Sequence, residues 1–180
     1  MSLDSHTDTY EPDTPPNLAR IDELRGEIEA VDESLLAHLA QLHSYRNEMK
    51  VLEARLSPLR ARNAAALGVP LPLVEGLFAL LAKESVEEVP EPSTTEIRQK
   101  MIEDASFSLI ALLAQRLNCI NRIGAVKAVL GLSVCDSTRE AELKSLHART
   151  AVPLNLPLPL VETVFTLILE DSKACQRRSR

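Results

Sequence analysis

The chain has 180 residues, of which 45% are apolar but only 3% aromatic, and its formal net charge is −6. A composition dominated by leucine and alanine, with few aromatic residues, favours helices over sheets. Acidity and the lack of a basic face with stacking aromatics argue against a nucleic-acid-binding protein.

The cysteines and the N-terminal segment argue against metal-binding, disulfide-rich and membrane classes. There are three cysteines, Cys119, Cys135 and Cys175, and they are widely spaced. Because the number is odd and the sequence has no CxxC or Cys/His cluster, we predict reduced thiols and no metal site. The N-terminal segment 1–17 is polar and acidic and lacks the apolar stretch of a signal peptide. No segment approaches the roughly 20 apolar residues of a membrane span. We therefore expect a cytoplasmic protein that does not bind a membrane.

The first half predicts two helices after a disordered acidic tail at 1–16. Asn17 is suited to cap the first helix, and apolar residues at helical spacing continue to about Leu56. The Ser57-Pro58 pair predicts its end. The remaining predicted elements of this half are a loop over 68–72 and a helix from about Leu73 to Glu87.

The second half begins after a predicted linker at 89–95, which contains two prolines and three hydroxyl residues. Ser93 and Glu96 form a capping-box pattern, and Gly131 is suited to end the helix that follows at about Leu130. The later predicted elements are a loop over 132–137, a helix from Thr138 to about Arg149, a proline-rich loop, a helix from about Leu160 to Gln176 and a basic tail at 178–180.

The two halves repeat each other. Residues 71–85 match residues 158–172 at an offset of 87, whereas Leu35 and Leu39 match Leu109 and Leu113 at an offset of 74. The first half therefore lacks a segment as long as the difference between these offsets, and the pattern indicates duplication. We predict an all-α fold of two helical units, at 17–88 and 96–177. Because one long helix cannot bury its apolar face alone, we expect the units to pack as a pseudo-dimer.

Two cations interrupt the apolar stripe of the second long helix. Arg116 and Lys127 are separated by about three helical turns, and so lie on the same face. Buried cations are costly unless an anion meets them. Each side chain could instead reach the surface or pair with a structural carboxylate. Because two cations lie on the same helix face, an anionic ligand is at least as well supported as these alternatives. Ser172 and Gln176 continue the inner face of the last helix, which adds to a predicted polar pocket.

The segment 136–140 is ambiguous by itself. Asp136 as an N-cap and Glu140 in the first turn are ordinary capping residues, and only the adjacent Arg139 hints at a further role. In the first half, alignment places Leu42 opposite Arg116 and Glu53 opposite Lys127, and the missing segment removes any counterpart of 136–140.

An arginine of the first half complements these losses. Arg25 lies at the edge of the first stripe, where the second half has Gln99. Each half therefore lacks polar residues that the other retains.

Together these motifs resemble the all-helical chorismate mutases. The opening pattern LRxEIxxVDxxLLxxLA is present at 24–40. The second half resembles a complete unit, with LLAQR at 112–116, Lys127, DSTRE at 136–140, a VExxFxxIxExS stretch and Gln176. The resemblance implies a three-helix unit in an intertwined dimer, whose site takes one arginine from the long first helix of the partner.

Carried over, the resemblance implies one composite site in this chain and a second, inactive one. Arg25 would be the crossing arginine, and it would bind substrate together with Asp136, Arg139 and Ser172. The catalytic residues would be Arg116, Lys127, Glu140 and Gln176. The implied reaction rearranges chorismate to prephenate without a cofactor or metal.

Several alternatives remain open at this stage. Isochorismate pyruvate-lyases and amino-deoxychorismate mutases share the fold. A non-catalytic module that binds chorismate, or that activates another enzyme of the shikimate pathway, is an alternative of a different class. The fused repeat would replace the homodimer, which favours a monomer.

Overall fold

The computed structural model describes residues 16–83, 96–133 and 135–178, and the chain is all-α in these ranges, with no strand. Its helices are α1 (Pro16–Ser44), α2 (Arg46–Leu67), α3 (Leu71–Lys83), α4 (Glu96–Val129), α5 (Ser137–Ala151) and α6 (Leu158–Arg178). The predicted linker with its Ser93 cap lies outside the described residues, as do nearly all of the N-terminal tail and residues 179–180. None of the described helices is long and apolar enough to cross a bilayer.

Prolines begin helices at positions where the sequence predicted loops or caps. The first helix starts at Pro16 rather than after an Asn17 cap, and α3 starts at Leu71 with Pro72 in its first turn. The N–H that proline lacks has no partner inside the helix at these positions, and its fixed φ suits a helix start. The predicted starts were therefore up to two residues late.

The predicted break at Ser57-Pro58 is wrong, because the chain turns at Tyr45 and α2 continues through Pro58. Tyr45 N–H donates to the Leu42 carbonyl at 3.0 Å, a tighter three-residue bond that ends α1. In α2, Pro58 removes one backbone donor. Leu56, buried before it, helps to hold the helix against the core.

The two longest helices, α1 and α4, run antiparallel and form the most extensive helix pair. Their cross-helix ion pairs follow opposite orders in the two helices, which fixes this direction. These pairs are Glu27 with Arg122, Asp32 with Arg116, and, just beyond the end of α1, Glu48 with Arg98. A main core of buried apolar residues fills the molecule, and a smaller cluster of Leu24, Ile28, Cys119 and Ile123 closes one end of the α1–α4 pair.

The α2–α3 connection has the same geometry as the α5–α6 connection 87 residues later. Val69 N–H donates to the Ala64 carbonyl at 2.9 Å, and Leu156 N–H donates to the Ala151 carbonyl at 3.2 Å. The backbone is left-handed at Gly68 (φ 68°) and again at Asn155 (φ 53°), where asparagine is among the few side chains that tolerate this conformation.

Side chains follow the same register. The Arg60 guanidinium lies over the Phe78 ring at 4.2 Å, and the His147 ring stacks on Phe165 at 3.5 Å. Arg60 precedes His147 by 87 positions, and Phe78 precedes Phe165 by the same number. The second half of α2 therefore corresponds to α5.

This register corrects the alignment of the first half. Glu53 lines the cavity between α2 and α3 as Glu140 lines the cavity between α5 and α6. Glu53 therefore corresponds to Glu140. The sequence comparison had aligned it with Lys127 instead. The missing segment falls near the turn at Tyr45, so the first half has no position equivalent to Lys127.

Candidate active site

The structure brings all eight predicted site residues to one cavity among α1, α4, α5 and α6. The cavity opens to solvent and, with its mouth, encloses about 600 Å³. Its apolar wall includes Ile28, Ile120, Ile123, Leu143 and Leu169. The predicted residues that line it are Arg25, Arg116, Lys127, Asp136, Arg139, Glu140, Ser172 and Gln176.

The two cations of α4 are buried, as their position in the apolar stripe predicts. Arg116 is 1% exposed and Lys127 is 7% exposed. Their separation of about three turns directs both toward the same cavity, Arg116 from the second half of α4 and Lys127 from its last turn. The folded chain therefore keeps two positive charges on a face that otherwise packs against apolar residues.

Arg116 is held by a carboxylate from α1 that the sequence analysis did not select. Its Nε donates to Asp32 Oδ1 at 2.7 Å, its Nη2 to Asp32 Oδ2 at 3.4 Å, and its Nη1 to Ser172 Oγ at 3.0 Å. Arg116 is therefore buried together with a carboxylate of the protein itself, which is one of the alternatives that the sequence left open. Its burial does not by itself require a ligand. These contacts use three of the five guanidinium N–H groups. Among the described residues, two are left for a ligand.

Asp32 in turn has a second buried donor. His147 Nε2 lies 2.9 Å from Asp32 Oδ2, and because a carboxylate only accepts, this ring nitrogen is the donor. Burial raises the pKa of Asp32, but the charge of Arg116 and the hydrogen bonds from His147 and Arg116 outweigh burial and hold the pKa below its ordinary value. Asp32 is therefore a fixed anion that orients Arg116 from behind the cavity.

This balance has a measurable consequence at low pH. We expect a carbon-13 NMR titration of the Asp32 carboxyl to give a midpoint below 3.8, its ordinary value. Because the folded-state pKa is depressed, the stability from Asp32 is present above the unfolded-state pKa and is lost as pH falls through the folded value. A midpoint above 3.8 would show that burial, and not Arg116, dominates the site.

Arg25 enters the cavity from α1, in the first half of the chain. Its Nη2 donates to Asp136 Oδ2 at 2.5 Å, and its Nη1 lies 3.4 Å from Asp22 Oδ1. Asp136 is also the N-cap of α5, as predicted, and accepts from Arg139 N–H at 3.0 Å. That backbone bond, together with the nearby charges of Arg25 and Lys127, outweighs the opposing effect of burial and lowers the pKa of Asp136. Asp136 thus supports both the helix start and the crossing arginine.

The next two predicted residues, both on α5, are fixed by side chains from other helices. Arg139 Nη2 donates to Glu29 Oε1 at 2.7 Å and to the Arg25 carbonyl at 3.3 Å, which ties α5 to α1. Lys173 Nζ donates to Glu140 Oε2 at 2.9 Å, which ties α5 to α6. Glu140 therefore faces the cavity as a paired carboxylate that can still accept a hydrogen bond.

The last two predicted residues project from α6. Ser172 Oγ donates to the Ile168 carbonyl at 2.7 Å and accepts from Arg116, so its hydroxyl is fully oriented. Gln176 Nε2 donates to the Ile120 carbonyl at 3.3 Å. Gly124 on α4 packs against this side chain, and a β-carbon there would lie 3.4 Å from Gln176 Cγ, an ordinary contact distance. The second amide hydrogen of Gln176 can serve a ligand in the cavity.

A cysteine behind this region should be unreactive. The Cys119 thiol is buried and donates to Glu27 Oε2 at 3.3 Å, and burial with this carboxylate raises its pKa to about 11. At pH 8 about one thiol in a thousand is then ionised. We expect iodoacetamide to label exposed Cys135 well before Cys119, as mass spectrometry of peptides can show. Equal labelling rates would contradict this environment.

Sequence reasoning missed Asp32, His147, Glu29 and Lys173. Asp32 carried the same signal as Arg116, since it lies among Ile28, Val31 and Leu35 on an otherwise apolar helix face. The other three have no such signal, because their roles depend on which residues of another helix lie opposite them.

The electrostatics of the cavity suit a dianion. Five cationic side chains line it against two carboxylates, with Lys173 adding to the four predicted cations. Two arginines can each bind a carboxylate through paired N–H donors.

Comparison with known proteins gives matches to the part of the chain that supplies most of the cavity. Residues 99–177 match the family model of chorismate mutase type II. The T-protein of Enterobacter agglomerans is 31% identical over 71 residues, which are 39% of this chain and 19% of that protein. The chain thus spans about a fifth of that relative, and no solved structure matches it. Seven of the eight predicted site residues lie inside the matched segment, and Arg25 lies outside it. Residues 99–177 are therefore similar to the chorismate mutase type II family.

Proposed function

We propose that the chain is a chorismate mutase that rearranges chorismate to prephenate in this cavity. The observation that carries the proposal is that Arg25, from outside the family segment, lines the same cavity as the seven residues inside it. A site with three arginines, two lysines and an apolar wall suits a compact dicarboxylate. Asp136, Arg139 and Ser172 hold the binding groups in place through the contacts described above.

The reaction needs no nucleophile from the protein. Within one substrate molecule the ether C–O bond breaks while a C–C bond forms, so atoms and electrons balance without an added reactant. The protein has to select the folded conformer of the substrate and to stabilise charge where it develops. Arg25 and Arg116 would each bind one carboxylate, which fixes the two reacting ends relative to each other.

Charge develops on the ether oxygen as its bond breaks. Lys127 and Gln176 are the donors suited to that oxygen, because both line the cavity and both are buried, where a hydrogen bond is stronger than in water. Glu140, paired with Lys173, would accept the hydrogen bond of the ring hydroxyl. These groups would then be oriented before substrate binds.

The same assignment makes the first half a support for this site. Leu42 stands at the position of Arg116, no residue matches Lys127, and Ser106 stands at the position of Asp32. A second mutase site there would lack both the cation and its carboxylate. We propose that the two three-helix units form a pseudo-dimer with one working site, so a monomeric chain would suffice.

The test is to incubate the protein separately with chorismate, isochorismate and amino-deoxychorismate and to identify the products by NMR. Prephenate from chorismate alone is the expected result. Pyruvate release from isochorismate, or rearrangement of the amino compound alone, would assign one of the alternative reactions on this fold. If all three compounds are recovered unchanged, the mutase proposal is wrong and a binding role remains.

A further inference from the structure

A second cavity lies between α5 and α6, next to the candidate active site. Its volume is about 260 Å³. Glu140 and Leu169 line both spaces, whereas the other residues of its wall do not line the candidate active site. Most of this wall is apolar, formed by Ala141, Ala148, Leu158, Val161, Phe165 and Leu169. The proposed reaction does not use this space.

Two stacked rings belong to the buried part of the wall. His147 and Phe165 both line the cavity, each is 3% exposed, and their ring centroids lie 3.5 Å apart. The His147 ring is also held by its hydrogen bond to Asp32 at 2.9 Å. A molecule in the cavity would therefore meet fixed rings and aliphatic side chains. Such a surface suits an apolar body, and an aromatic one in particular, because aromatic pairs are more favourable than the area they bury.

An ion pair joins the two walls of the cavity on the solvent side. Lys144 Nζ on α5 lies 3.2 Å from Glu162 Oε1 on α6, both residues line the cavity, and both side chains are more than half exposed. The third charged residue of the wall, Glu140, pairs with Lys173 at 2.9 Å. Each charged side chain that lines the cavity thus already has a counter-charge. A charged ligand would have to break one of these pairs or be buried unpaired, which is costly.

The cavity between α2 and α3 is the counterpart of this one, 87 positions earlier in the chain, and its wall differs at two points. Arg60 stands in place of His147, and its guanidinium lies over the Phe78 ring at 4.2 Å. Ser57 stands where α5 has a lysine, and a hydroxyl cannot form the ion pair that joins α5 to α6. The counterpart therefore has a cation over its ring, and the second half is the better site for an uncharged ring.

We propose that the α5–α6 cavity binds a small uncharged molecule with one aromatic ring. An apolar cavity of about 150 Å³ can hold benzene, so the larger space here can hold such a ring with a small substituent. The ligand would pack beside Phe165, Glu140 and His147. Glu140 also lines the candidate active site, and His147 reaches it through Asp32, which holds Arg116. The proposal does not depend on the proposed reaction, and its test needs no chorismate.

The probe is benzyl alcohol, with benzoate and benzylamine as anionic and cationic analogues of similar size. The chain has three phenylalanines, and fluorinated phenylalanine incorporated into the intact chain gives one fluorine NMR signal for each. Phe165 lines the α5–α6 cavity, Phe78 lines its counterpart, and Phe107 lines neither. Benzyl alcohol should shift the Phe165 signal alone. It should also bind about tenfold or more tightly than either charged analogue, because the cavity gives a charge no new partner.

Filling the cavity from α5 should remove this binding. Ala148→Leu should weaken benzyl alcohol binding about tenfold or more, since the ligand and a leucine cannot share the space without overpacking. Ala61→Leu is the matched control, because it makes the same change at the equivalent position of the counterpart cavity and should leave binding unchanged.

A second pair of variants fills the same space from α6 and decides the matter if Ala148→Leu does not fold. Thr166 is exposed and lines the cavity, whereas Thr163 is exposed and does not. Thr166→Leu should weaken binding, and Thr163→Leu should not. The proposal would be overturned by a shift at Phe78 in place of Phe165, by no shift at Phe165, by equal affinity for the three compounds, or by wild-type affinity in the folded cavity-filling variants.

Discussion

Arg25→Ala should lower kcat/KM for chorismate by about 10²-fold or more, although Arg25 lies outside the segment that matches the family. The reason is geometric. Arg25 is the α1 guanidinium that lines the cavity, and no described side chain of the second half replaces it. Its partner Asp136 still accepts from the Arg139 N–H in the variant. The loss therefore concerns substrate binding and transition-state stabilisation, not the fold.

Stability should change little in this variant. The Arg25–Asp136 pair is about one-third exposed on both sides, and such pairs contribute about 0–1 kcal/mol. Arg20→Ala is the control, since Arg20 is on the same helix, is partly exposed and pairs locally with Glu23. Steady-state kinetics and thermal melts of both variants are needed. Wild-type turnover by Arg25→Ala in the intact chain would refute the shared site.

Asp32→Asn should impair both stability and catalysis. The change removes the negative charge that balances buried Arg116, which keeps only neutral acceptors, the Asn amide oxygen and Ser172 Oγ. Removing one member of a buried ion pair costs about 3–5 kcal/mol. Because Asp32 does not line the cavity, its effect on rate acts through the position of Arg116. Misplacement of such a group by about 1 Å can lower kcat/KM about 10²-fold.

The matched control for this variant is Glu33→Gln, the same chemical change at the next residue, which is exposed. Urea unfolding and chorismate kinetics distinguish the two effects, because kinetics are measured only where circular dichroism shows folded protein. A stable, fully active Asp32→Asn variant would mean that Arg116 needs no carboxylate behind it. The predicted role of Asp32 as a positioning residue would then be wrong.

The helices and the polar stripe could be predicted because they depend on residues close in sequence. Arg116 and Lys127 share a helix, and Asp136 caps the segment that follows it. The turn at Tyr45 could not be predicted, because no local sequence feature marks it. Pro58 was the stronger signal for a helix end, whereas the hydrogen bond from Tyr45 to Leu42 is visible only in the structure. Asp32 and Arg116 are 84 positions apart, so each could be recognised as misplaced but not as the other's partner. His147 looked like an ordinary α5 residue until Asp32 was seen opposite it.

The error in the alignment of the first half also arose because the deciding contacts join residues far apart in sequence. Sequence matching assigned Glu53 to the end of a long helix, because nothing local showed where the missing segment would have been. The paired contacts of Arg60 with Phe78 and of His147 with Phe165 placed the gap. Long-range packing, which one sequence does not display, decided the alignment.

The most direct test of the shared cavity is a crystal structure of the intact chain with a bicyclic dicarboxylate that mimics the cyclic transition state. The ligand should lie among α1, α4, α5 and α6, with one carboxylate on Arg25 and the other on Arg116. Lys127 and Gln176 should then approach the ether oxygen. A ligand bound elsewhere, or bound here without contact to Arg25, would contradict the account.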